Sequence, residues 1–189
     1  MKKAILILLI LSSPAAAQRR RLPLPAAECT LQAELWLARS FIGEAGWEAA
    51  RDHAGIAWVL ARRWRRQIRR WPDMTFVTVV KNYVHALGFR RRSGPTRRQR
   101  WLRGLLGPLA PEGWPARSSW RKHVGLWRSA RARSRDWMVG RVPDPCRGRA
   151  WNWGGHVDEG LAQRKALNEV DCGETANTFY DDGGDSDGK

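Results

Sequence analysis

Residues 37–66 read LARSFIGEAGWEAARDHAGIAWVLARRWRR, and this stretch decides the fold. It holds two helical patterns separated by a pair of glycines. Upstream, Thr30 is placed to cap a helix that starts at Leu31, with Leu31, Leu35, Ala38 and Phe41/Ile42 on one face. That helix is expected to end near Gly43–Gly46, since glycine is poor helix interior and a good terminator. A second helix is expected over Trp47–Ile68, with Ala50, Ala54, Ala57/Trp58 and Ala61 as its packing stripe, stopped by Pro72-Asp73. Between the two patterns sits Glu44, a carboxylate among Phe41, Ile42 and Trp47 where a surface helix would place a wet face.

Working outward, TFVTVVKNYVHAL predicts a helix over Thr75–Ala86 that buries Phe76, Val79/Val80 and Tyr83. Residues 88–117 are rich in Gly, Pro and Arg, show little periodicity, and read as a long connection. Ser118 or Ser119 would cap a further helix running to Gly140, with Trp120, Val124, Trp127, Arg131, Ser134 and Trp137 at helical spacing. The remaining segment is short, Gly-rich and aromatic, with room for small strands. The fold class is therefore mainly α, a helical domain with a short Gly-rich loop/strand region at its C-terminal end. The expected organisation is a lead-in over 18–29, the domain over 30–180, and an acidic tail over 181–189, which lacks apolar content and is expected to be disordered.

The opening MKKAILILLILSSPAAAQ has a two-lysine start, a short apolar run and a small-residue end. That is the layout of a secretory signal peptide over residues 1–17, so the protein is expected to be secreted or periplasmic. No segment reaches the roughly 18 apolar residues of a membrane span. The chain of 189 residues has a formal net charge of +16, with 34 basic and 18 acidic residues. Seven of the acids follow Asn168, so residues 18–168 alone carry a net +20. Such a field attracts polyanions. Outside the cytoplasm these are anionic cell-wall polymers or a membrane surface, and no nucleic-acid partner is expected. Of the three cysteines, one must stay unpaired, and composition leaves open which. Cys146 and Cys172 lie in Gly- and Pro-rich segments that need a constraint, and they are the expected disulfide, with Cys29 free. No zinc spacing occurs, so no metal and no cofactor are expected. His156 and Asp158 lack further ligands. Phosphate-binding loops, dinucleotide fingerprints and GxSxG elbows are absent.

Glu44 is the residue expected to carry chemistry. At the end of a helix, unpaired carbonyls and apolar neighbours penalise an ionised carboxylate. A carboxylic acid that keeps its proton can donate it to the leaving oxygen of a glycosidic bond. The stretch from Leu37 to Arg63 resembles the opening motif of the spore-cortex-lytic type of cell-wall hydrolases, through Ala38, Glu44-Ala45, Glu48, Ala57, Val59 and Arg63. WPDMTFVTVVKNYVHALGF (71–89) and GRVPDPCRGRAW (140–151) resemble two further segments of that family, in the same order. The chain departs from the family at Gly46, where it has arginine, at Trp47, where it has glycine, and at Arg62, where it has asparagine.

The resemblance implies a lysozyme-like helical fold that cleaves the bond from N-acetylmuramic acid to N-acetylglucosamine. Glu44 would be the general acid/base, and peptidoglycan glycan strands the substrate. Hydrolysis by two carboxylates needs side chains roughly 5–9 Å apart across a cleft. Glu48 and Asp52 instead follow Glu44 at one-turn intervals, so a single catalytic acid is expected, as in lytic transglycosylases. Of the 12 tryptophans, Trp36, Trp58, Trp120 and Trp127 are expected in the core, as they lie on apolar stripes. The AWNWGGHVDEG segment is the expected substrate wall, with Trp151, Trp153, Gly154 and Gly155. Trp47 and, more loosely, Asn177 and Tyr180 of DCGETANTFY complete it. A monomer is expected. The other function consistent with these residues is a non-catalytic, cationic, Trp-rich protein that binds the wall or a membrane surface.

Overall fold

The computed structural model of the chain describes residues 22–89, 93–106, 109–112, 114, 116–155 and 167–181. The expected signal peptide, His156, Asp158 and residues 182–189 of the acidic tail lie outside the described residues. The architecture is mainly α. Helices α1 (Leu31–Ala45), α2 (Ala50–Ile68), α3 (Phe76–Tyr83), α4 (Arg97–Gly104) and α5 (Arg117–Met138) precede strands β1 (Asn152–Gly155), β2 (Asn168–Val170) and β3 (Asn177–Asp181). The strands form one antiparallel sheet in the order β1-β3-β2. Asp181, expected at the start of the tail, is the last residue of β3.

Helix α1 begins as its sequence requires: the Thr30 hydroxyl accepts from the Ala33 amide at 3.1 Å. It ends at Gly46, whose φ of 84° suits glycine. Its burial differs from the expected single stripe. Ala33 through Ile42 are all buried, while Leu31 is 62% exposed. The cause is position: α1 is the central helix, packed against α2, α3, α4 and α5, and a helix surrounded on all sides hides its polar residues too. Those residues are accordingly satisfied. Glu34 pairs with Arg131 and Arg135 of α5 at 2.6 and 3.1 Å, and Arg39 donates twice to the Leu105 carbonyl.

The second helix starts at Ala50, three residues later than the pattern predicts, because the chain after Gly46 bends through an irregular turn before re-entering helix. Glu44, Glu48 and Asp52 therefore do not share a helix face. The third helix is shorter than expected. It stops at Tyr83 and gives way to a 3-10 turn over His85–Leu87, closed by Gly88 at φ 66°. Two sequence expectations around residues 88–119 are overturned. The connection contains α4, whose capping box joins Thr96 and Gln99 reciprocally. Ser118 and Ser119 do not cap α5: Ala116 is the N-cap, and the Ser119 hydroxyl instead donates to the Ala116 carbonyl.

Tryptophans 36, 120 and 127 are buried as expected, and Trp58 is half-buried, donating its indole N–H to the Val142 carbonyl at 3.2 Å. The segment over 140–151 is tied to α2 by Arg62, which donates to the Ala150 carbonyl at 2.6 Å and pairs with Asp144. Cys146 and Cys172 form the disulfide, and Cys29 is the free thiol. The sheet sits against α2 through Phe179, whose ring occupies the place a side chain at position 55 would fill. A Cβ on Gly55 would lie 2.4 Å from that ring. Glycine there lets β3 approach the helix closely.

Candidate functional site

The end of α1 brings Glu44 to a point where the sheet and the 3-10 turn after α3 meet. Glu44 is half-buried. Its Oε1 accepts from the Ala86 backbone N–H at 2.8 Å, and its Oε2 from the Trp153 indole N–H at 3.3 Å. The carboxylate is thus held in orientation by a turn on one side and a strand on the other. Gly43 makes the first contact geometrically possible. A Cβ at position 43 would lie 2.6 Å from the Ala86 Cβ, so only glycine lets the turn come this close to α1.

Beneath this carboxylate lies a second one with a different role. Asp52 is 2% exposed and accepts from the Ala176 N–H at 3.0 Å, the Asn177 N–H at 2.7 Å and the Asn177 side-chain amide at 2.9 Å. The same Asn177 amide reaches the Glu44 carbonyl at 3.4 Å. Asp52 therefore fixes the start of β3 against α2, and Asn177 carries that position on to the end of α1. A buried carboxylate with three donors is an anchor.

The residues expected at a substrate wall fall into three groups. Trp153 touches Glu44 directly, and Gly154 and Gly155 follow it on β1, paired with Thr178 and Asn177. Trp151 precedes the strand, donates its backbone N–H to the Tyr180 carbonyl at 2.7 Å, and lies half-buried with the Arg66 guanidinium 5.7 Å from its ring centre. Asn177 and Tyr180 are each 6% exposed, which places them under the site as supports and not along it as a surface. Trp47 points into a separate aromatic group. Its ring lies parallel to Trp101 at 6.5 Å, edge-on to Trp114 at 6.4 Å, and 5.0 Å from His123.

Sequence reasoning missed two parts of this arrangement. The Ala86 N–H has no sequence signature, because any residue but proline supplies it. Trp101 was lost with α4, although the Thr96–Gln99 spacing is a readable helix start. Directly behind the site, His53 is buried and stacks on Phe41 at 4.7 Å between ring centres. Its partners fix its tautomer: a carbonyl only accepts and a guanidinium only donates. Nε2–H donates to the Gly46 carbonyl at 2.9 Å, and Nδ1 accepts from Arg133 at 3.2 Å. Burial, first of all, pushes this imidazole down to about 4; Arg133 acts the same way, and Gly46 and Asp52 oppose it.

The described residues contain no group of three or more His, Cys, Asp or Glu side chains placed to hold a metal ion, and no helix long and apolar enough to cross a membrane. Fold and site together define a mainly α protein with a helix-end glutamate facing a small antiparallel sheet. Comparison of the chain with protein-family models, curated proteins and solved structures found no match.

Proposed function

We propose that this protein cleaves peptidoglycan, acting on the bond between N-acetylmuramic acid and N-acetylglucosamine, with Glu44 as the general acid/base and a lysozyme-like arrangement of helices around it. The observation that carries this reading is the helix-end glutamate whose two oxygens are oriented by the Ala86 N–H and the Trp153 indole, beside a strand that ends in two glycines. Glu44 gives its proton to the leaving oxygen and then takes one from the attacking hydroxyl. If that hydroxyl is the muramyl 6-OH, the product is a 1,6-anhydro sugar; if it is water, the product is a reducing end. One carboxylate suffices for the first route, which suits a site whose neighbouring Asp52 is engaged by three donors. Trp153 and Trp151 offer indole faces to pyranose rings, and no cofactor takes part. Action on the wall requires export, which the N-terminal segment supports.

The test is incubation of the mature protein with purified sacculi, followed by mass spectrometry of released muropeptides. Anhydro-muropeptides are the expected product, and Glu44→Gln is expected to reduce their release at least a hundredfold, in the range of a lost general acid. Full activity in Glu44→Gln removes the mechanism. Wall binding without any product, equal in both proteins, favours the non-catalytic cationic binder.

A further inference from the structure

Apart from the Glu44 site, a cavity of about 320 Å³ lies between the end of α3, the 3-10 turn His85–Leu87 and the start of α4. Val84 and Phe89 give it apolar walls, and Lys81, Asn82 and His85 line it with polar side chains. No carboxylate stands among the described lining residues. Lys81 is half-buried, and its ammonium lies over two rings, 4.7 Å from the centre of Trp36 and 5.7 Å from that of Phe89. The same rings carry two more cations, Arg39 over Trp36 at 4.3 Å and Arg103 over Phe89 at 3.9 Å. Both guanidinium groups donate to neutral acceptors, the Leu105 and Leu87 carbonyls. Three positive charges thus gather around two rings, and none of them is in an ion pair among the described residues. Ring faces hold an exposed cation by only about 0.5–1 kcal/mol each and leave its outward N–H bonds for an acceptor. A cluster of this kind raises the local potential and favours a bound anion. Gln99 shapes the wall and is fully engaged, its Oε1 accepting from the Thr96 N–H at 2.8 Å and its Nε2 donating to the His85 carbonyl at 3.3 Å. The Asn82 amide and the His85 imidazole differ, having no hydrogen-bond partner among the described residues, and each offers an N–H.

We propose that this cavity is a binding site for a small carboxylate with a short apolar body, with Lys81 as its charge partner and Asn82 and His85 as hydrogen-bond donors. One ammonium and two neutral donors match a single negative charge, whereas a phosphate dianion is better served by arginine forks. Val84 and the Phe89 ring, which is 41% exposed at the mouth, cover the apolar body. The volume is at the small end of the range for ligand sites, which limits the occupant to a small molecule. The site goes beyond the peptidoglycan reading and does not rest on it. Glu44 is absent from its walls, although His85 directly precedes Ala86, whose N–H orients that carboxylate.

The test is titration of the mature protein with three probes, N-acetylalanine, its neutral amide and inorganic phosphate, followed by NMR of the backbone amides. N-acetylalanine is expected to shift the Gly88 and Ala86 amides saturably, with a Kd on the order of 1 mM for a ligand of so few atoms. The neutral amide is expected to bind at least about tenfold more weakly, and Lys81→Met to weaken the carboxylate about ten- to a hundredfold. Arg128→Gln, which removes a charge from the exposed face of α5, is expected to leave the Kd within about twofold. Absence of a saturable shift overturns the proposal, as does equal binding of acid and amide, or unchanged binding in Lys81→Met. Phosphate binding more tightly than the carboxylate would make this a phosphate site and overturn it as well. If Lys81→Met does not fold, the exposed His85 decides: His85→Ala is expected to raise the Kd about threefold, and an unchanged Kd overturns the proposal. None of these readouts needs cleavage of the wall, so failure of the catalytic reading leaves the test intact.

Discussion

Gly43 shows how magnitudes decide at the scale of one residue. Helix propensity alone favours alanine there by about 1 kcal/mol. The structure opposes it, because a Cβ would meet Ala86 at 2.6 Å and Leu102 at 3.3 Å. Overpacking costs of roughly 1–3 kcal/mol outweigh the propensity gain. Gly43→Ala is therefore expected to lower stability in urea unfolding and, by displacing Ala86 from Glu44, to reduce muropeptide release. A more stable, fully active variant would show that the turn yields freely. His53 gives a second test. Its neutral ring accepts from Arg133, and the imidazolium could not. The folded value of about 4 lies below the ordinary 6.5, so the unfolded chain binds the proton first as pH falls. Stability is then lost between pH 6.5 and 4, by about 3 kcal/mol in all. Urea unfolding across that range is expected to show the slope, and His53→Gln to remove most of it.

At the scale of elements, the two ends of the chain are organised differently. Helices α1, α2 and α3 announce themselves through local signals: the Thr30 cap, Gly46, the stop at Pro72, and the apolar spacing of Phe76 and Val79/Val80. Helix α4 offers only the Thr96–Gln99 spacing at its start; it buries little, its run RRQRWLRG has no stripe, and only Leu102 is fully buried. The C-terminal region depends on a covalent constraint. The disulfide joins residues 26 apart and fixes the segment from Pro143 to Ala150 beside β2 and β3. In the chain-entropy account, a loop of that size stabilises by roughly 3 kcal/mol. Replacing both cysteines by serine is expected to lower unfolding stability by about that amount. A change below about 1 kcal/mol would mean that Arg62 and its partners Asp144 and Ala150 hold the segment unaided.

For the whole molecule, charge sets behaviour that no single site does. The chain carries a formal net charge of +16, and among the described residues arginines such as Arg69, Arg121 and Arg128 lie exposed on the helices. Exposed charges lose influence beyond about 8 Å at physiological salt. Binding to intact sacculi is expected to weaken steeply as salt rises, whereas cleavage of a short soluble glycan should change much less. Binding that ignores salt would show that the basic surface does not recruit the protein to the wall.

By itself the sequence determined the mainly helical class, the break between α1 and α2 beside Glu44 and the high basic charge, and it pointed to the Cys146–Cys172 pair. Each is a local pattern or a property of composition. Only the tertiary structure decided what surrounds that glutamate. Its partners Ala86, Trp153 and Asn177 lie 42, 109 and 133 residues further along the chain. Packing of α1 among four helices and of β3 on Gly55 brings them together. Local propensities carry no information about contacts at such separations. For the same reason Tyr180, read as a surface residue, proved to be buried, and Asp52 proved to be the anchor on which the site is built.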